Sequence, residues 1–143
     1  MKLHNPTDDQ LDAAFAEKVA GWGRIVTFEL SAIDTNGLIF GRRSIPAPLG
    51  AFEKDGVILE HPPRFTRSFD AVLPWLGKYN LVARFTRDCG RLSEHLSRPE
   101  ENGKYFINII RGGKEHEAID KTLPRAACIA LLRAHGHEVT FAP

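Results

Sequence analysis

Cysteine is nearly absent. Cys89 and Cys128 stand far apart in 143 residues, too few for the disulfide framework that small secreted folds rely on. No apolar run approaches the roughly 18 residues needed to cross a bilayer. The N-terminus has neither the apolar core nor the cleavage site of a secretory leader, so the cytoplasm is the expected compartment. Neither sign of charge prevails: 19 Lys and Arg face 18 Asp and Glu, which argues against non-specific wrapping of nucleic acid. The sequence holds no GxxxxGK[ST], HExxH or CxxC, and Gly21-Trp22-Gly23 is too short for a dinucleotide fingerprint. Six scattered histidines show no metal-ligand spacing. No cofactor or metal is expected.

What is present reads as one ordinary domain, 43% hydrophobic and 26% charged, large enough to bury a core. The C-terminal stretch carries helix start and stop signals. Thr122 offers a side-chain cap, Pro124 sits in the first turn, and Gly136 can take the left-handed conformation that ends a helix. Leu123, Ala126, Ala127, Ala130, Leu131 and Ala134 share one face, while Ile129 and Leu132 lie opposite among Arg125 and Arg133. A helix apolar nearly all round is covered on both sides, either by its own chain or by a second subunit. His135 and His137 flank the stop, where a positive imidazole would suit the helix dipole. Cys128 falls inside the helix and reads as a small core residue.

Near the N-terminus, Thr7-Asp-Asp-Gln10 fits a capping box. Leu11, Ala14, Phe15, Val19 and Trp22 follow at helical spacing, with Ala13, Ala16 and Ala20 as a small-residue stripe opposite. Lys18 reads as a stem lying over apolar surface with its ammonium in water. Beyond it, Arg24 to Leu30 and Leu38 to Arg42 are strand-like, joined through Asn36-Gly37, a hairpin pair. Ile45 to Pro63 is rich in Pro and Gly and reads as a long excursion with one apolar run, Val57 to Leu59. A helix capped by Ser68 should follow, short or kinked because of Pro74. Tyr79 to Phe85 alternates like a strand with one face buried. Arg87 to Asn102 reads as a polar loop or helical turn. Lys104 to Ile110 is the most apolar strand, returning through Gly112-Gly113 into Glu115 to Ile119. These elements predict an α+β fold with a central antiparallel sheet and helices packed on both faces, an α-β-α sandwich.

The segments TDDQLDAAFAEKVAGW, SFDAVLPWLG and GKYFINIIRGG to TLPRAACIALLRAHG, in that order, resemble the phage ABA sandwich domain family. The resemblance covers most of both ends of the chain and implies the same layered fold and a phage or prophage origin, hence a bacterial host's cytoplasm. It carries no catalytic residues across. The stretch from Thr27 to Pro63 departs from the family pattern.

Arginine outnumbers lysine twelve to seven, and its planar fork suits phosphate and carboxylate. The expected function is therefore non-enzymatic binding of a small anionic ligand or a host protein, as an inhibitor or sponge of host defence signals. Arg42, Arg43, Arg64, Arg67, Arg84, Arg87 and Arg111 are the candidate ligand contacts. Arg125, Ile129, Leu132 and Arg133 are the candidate interface of a homo-oligomer. The alternatives are a nucleotide- or nucleic-acid-directed enzyme, recognisable by Asp, Glu and His gathered in one concave site, and a virion assembly factor. Asp88, Cys89 and His95 lie close together but show no activating arrangement. Glu115 and Glu117 share a strand face and read as solvated.

Overall fold

The helix Leu123–Ala134 is buried along almost its whole length, with Ala126 through Leu132 at 0–1% exposure. It is the centre of the molecule. A computed structural model describes residues 1–25, 27–33, 35–46, 51–86 and 99–142, with 27–33, 39–46 and 99 by backbone alone. In chain order the elements are β1 (Lys2–His4), α1 (Asp8–Lys18), β2 (Gly23–Arg24), β3 (Thr27–Ile33), β4 (Ile39–Pro46), β5 (Phe52–Lys54) and β6 (Val57–Leu59). A 3₁₀ turn (Phe65–Arg67), α2 (Phe69–Leu76), β7 (Asn80–Thr86), a second 3₁₀ turn (Pro99–Glu101), β8 (Lys104–Arg111), β9 (Lys114–Asp120), α3 (Leu123–Ala134) and β10 (Glu138–Thr140) complete it.

Among the described residues the chain is thus a mixed α+β fold with three helices and mainly antiparallel sheets. β7, β8 and β9 form the principal sheet, β8 in the middle. Ile107, Ile109 and Ala118 project from it into the core under α3, which lies over β8 and β9 and meets α1, α2 and the first 3₁₀ turn elsewhere on its surface. Phe106, Asn108 and Ile110 alternate to the other face, where the second 3₁₀ turn approaches. Ile129 and Leu132, at 1% and 0% exposure, are covered within this one chain, which accounts for the apolar breadth of α3.

Local signals explain most of the elements. Thr7 and Gln10 make both bonds of the capping box, and Leu11, Ala14, Phe15, Ala16 and Ala20 are buried. Ser68 Oγ accepts from Ala71 N–H and starts α2, which stays short around Pro74. Gly136, at φ +85°, follows the end of α3. The Asn36-Gly37 hairpin joins β3 to β4; β3 is shifted to Thr27–Ile33 from the expected Arg24 to Leu30, and β4 runs on to Pro46.

Several expectations need correction. Thr122 makes no side-chain cap; its N–H instead lies 3.4 Å from Asp120 Oδ1. The stretch from Ile45 to Pro63 is not one loop, since β4 runs to Pro46 and β5 pairs with β6 across Asp55-Gly56. Both turn residues have positive φ, +50° and +81°, the conformation of a two-residue hairpin turn. β7 does not bury one face: Leu81, Val82 and Phe85 are 37%, 50% and 49% exposed. β1 and β10 pair in parallel, Leu3 opposite Val139, joining the two ends of the chain. Three-residue strands this far apart carry no local periodic signal.

Candidate functional site

A cleft of about 680 Å³ opens between α1, β1, β2 and the segment after β6, a size suited to a small molecule. Its apolar wall comes from Met1, Leu3, Ala13, Ala14 and Pro62. Its cations are Lys18, Arg24 and Arg64, beside His61; its acids are Asp9, Asp12 and Glu17.

Contacts elsewhere in the fold position Arg64, Arg24 and Asp12. Phe65 is 3% exposed, with its ring centroid 4.5 Å from Phe15 and 5.8 Å from Trp75, so the preceding Arg64 is held beside α1. Thr66 N–H donates to Asp12 Oδ1 at 2.8 Å, fastening the same segment to the helix. The Arg24 guanidinium lies 5.8 Å from the ring of buried Phe52. Lys54 Nζ donates to Ala20 O at 2.6 Å, tying the β5–β6 hairpin to the end of α1. His61 Nδ1 lies 2.9 Å from Pro62 O. Lys18 is exposed, as a solvated ammonium should be, and pairs with Glu17 at 3.6 Å.

Asp12 is the unusual group. It lines the cleft yet is only 2% exposed. Burial pushes its carboxyl above the ordinary range, opposed by the Thr66 N–H and reinforced by Asp8 and Asp9. The arginine excess of the sequence does not point to it. One signal was available: Asp12 precedes Ala16 by one helical turn and so falls on the small-residue stripe, where a charge is out of place. Arg24 and Arg64 have no carboxylate partner among the described residues. The arrangement can accept an anion at its cations and a hydrogen-bond donor at Asp12, with apolar surface between.

The candidate arginines whose side chains are described, Arg64, Arg67, Arg84 and Arg111, do not gather at one cleft. Among the described side chains of this set, Arg64 alone lines the cleft, and Arg67 is exposed nearby in sequence. Arg84 makes two bonds to Glu101, at 2.9 and 3.0 Å, and lies 4.0 Å from the Phe106 ring centroid. Arg111 donates to Ala134 O at 2.9 Å and faces the Tyr79 ring. Arg42 and Arg43 sit in β4, described by backbone alone, and Arg87 lies outside the described residues. So do Asp88, Cys89 and His95.

The charged members of the candidate interface act inside the chain. Arg125 pairs with Asp8 at 2.9 Å and with Asp120. Arg133 donates to Val139 O at 2.6 Å and to Glu117 O at 2.6 Å, joining β9 to β10. The surroundings of His135 and His137 work against the positive form that the helix dipole would favour. Burial pulls both below the ordinary value; Arg111 and neighbouring histidines add to this at His135, and the N-terminus and Lys18 at His137. Among the described residues, no three His, Cys, Asp or Glu side chains are grouped to hold a metal ion. No helix among them is long and apolar enough to cross a membrane.

Comparison with solved structures finds the same fold in a phage protein from Bacillus cereus ATCC 14579, known from a 2.0 Å crystal structure. The superposition covers 93% of this chain and 91% of that one, with a TM-score of 0.56 and 15% sequence identity. At that identity the likeness is one of fold. No family model matches the sequence, and no curated protein matches it.

Proposed function

We propose that the chain is a phage- or prophage-encoded accessory protein that acts by binding, and that the α1 cleft takes a small anionic ligand. The observation that carries this reading is that Arg24 and Arg64, both without carboxylate partners among the described residues, line one cleft of ligand size. The shared fold with a phage protein supports the origin. Sequestering a nucleotide-like signal of the host's defence, in the host cytoplasm, is the role such a cleft would serve. The finer layering, with helices on both faces of the β7–β9 sheet, belongs to the same proposal. The exposure of Val82 and Ile110, on the face opposite Ile107 and Ile109, supports a further covering layer.

A second reading has its own observation. Asp9, Asp12, Glu17 and His61 line the same cleft, so acid–base groups stand beside the anion-binding cations, as an enzyme acting on nucleotides would need.

Comparing native and denatured masses of the purified protein detects a retained ligand. Titration with mononucleotides, dinucleotides and pyrophosphate then tests the site by calorimetry. Arg24→Glu and Arg64→Glu should each weaken binding by at least about tenfold, a loss of about 1.4 kcal/mol, while Arg67→Glu leaves it unchanged. Ligand recovered intact favours binding; ligand recovered cleaved favours the enzyme. Failure of every anion to bind, or binding indifferent to both substitutions, would reject the cleft.

A further inference from the structure

Among the described residues, β7 is an edge strand without the usual protections. Edge strands are normally blunted by proline, a bulge, an outward charge or a covering segment. β7 has no proline or glycine, and its register with β8 runs unbroken from Asn80–Ile110 to Thr86–Lys104. Its single charge, Arg84, is drawn to Glu101 and the Phe106 ring. No described strand pairs with its outer edge. Leu81, Val82 and Phe85 nevertheless remain 37–50% exposed.

We infer that β7 pairs antiparallel with β7 of a second copy of this chain, about a two-fold axis through Ala83, making one continuous six-stranded sheet. The side chains select this occupant and this register. A two-fold axis perpendicular to the sheet keeps each face on its own side, so strand positions meet in pairs of equal parity. Centred on Ala83, all seven residues of β7 overlap. Leu81 then meets the partner's Phe85 twice, on the face that carries Ile107 and Ile109. On the opposite face Val82 meets the partner's Arg84, and no like charges are opposed. Centring on Arg84 would set two guanidinium groups against each other, which costs stability. Centring on Val82 would leave Phe85 beyond the paired strand. Only the Ala83 register both covers the exposed apolar side chains and separates the charges. The axis also places α3 of both copies on one side of the joined sheet. This surface is separate from the α1 cleft, so either proposal can fail without the other.

Sedimentation equilibrium on the full chain tests it. The wild type should reach twice the 16.0 kDa chain mass as concentration rises. Leu81→Glu and Phe85→Lys should each weaken self-association by at least about tenfold, with an unchanged circular dichroism spectrum. An equimolar mixture of the two variants should recover the dimer, because opposite charges then meet across the axis. A wild type that stays at the chain mass at every concentration overturns the proposal. So does a dimer that both single substitutions leave intact, or a mixture that stays monomeric although both variants are folded.

Discussion

Arg125 Nε stands 2.9 Å from Asp8 Oδ1, across 117 residues of sequence. The contact joins the first turn of α3 to the first turn of α1. The same guanidinium reaches Asp120 and Pro6 O, and its Cζ lies 5.3 Å from the Phe141 ring. One side chain thus gathers both ends of the chain around the central helix.

Removing it should therefore cost more than an exposed ion pair would. Asp120 is 11% exposed at its side chain and would lose its charge-assisted partner. Arg125→Ala should destabilise by about 2 kcal/mol, and Arg125→Lys should recover only part, since one ammonium cannot reproduce the planar fork. Urea unfolding measures both. An Arg125→Ala variant as stable as the wild type would show the network to be idle.

Asp12 should give a stability signal of defined sign. Its carboxyl is raised above the ordinary 3.8, chiefly by burial, so the folded chain holds the proton more tightly than the unfolded one. The contribution is complete below 3.8 and is lost as pH rises through the raised value. Asp12→Asn keeps an oxygen for the Thr66 N–H but has no charge to bury. Its stability relative to wild type should climb across that window, read from urea midpoints at successive pH values. A flat difference would contradict the assignment.

The reverse sign applies at His135. Burial lowers it below 6.5, with Arg111, His137 and His116 adding. Its contribution is present above 6.5 and lost as pH falls through the lowered value. The ring stands edge-on to Tyr79, with centroids 6.0 Å apart. His135→Phe keeps an aromatic ring there and should flatten the decline of stability below pH 6.5, measured by thermal melts. An unchanged slope would mean that other groups govern it.

Cys128 should be inert while the chain is folded. It is fully buried, and burial, with Asp12 and Asp8 nearby, pushes its thiol well above the ordinary range. In a Cys89→Ser background, an aromatic disulfide reagent should label it at least about a thousandfold more slowly in buffer than in urea, because only the unfolded state presents it. Prompt labelling in buffer would show that α3 opens locally.

The helices and their limits were legible in the sequence because they rest on neighbours. Thr7 with Gln10, Ser68, and Gly136 act over three or four residues, and Leu11 with Phe15 needs only helical spacing to share a face. The same local logic placed β8 and β9 around Gly112-Gly113. Asp55-Gly56 is an equally local signal, masked in the sequence by the prolines around it. The candidate site was largely hidden. Arg64 was singled out for its chemistry, but Arg24 and Asp12 entered only with the geometry, and Arg84 and Arg111 turned out to be engaged within the chain. A guanidinium looks the same in sequence whether it faces solvent, Glu101 or the Ala134 carbonyl. Composition and local spacing determined the helices, the hairpins and the absence of a catalytic signature. Tertiary structure decided which face of α1 borders a cleft, which of the described arginines lack a carboxylate partner, and that Ile129 and Leu132 lie inside one chain. Those outcomes depend on contacts such as Asp12 with Thr66, 54 residues apart, and no local pattern encodes a distance between segments that only packing brings together.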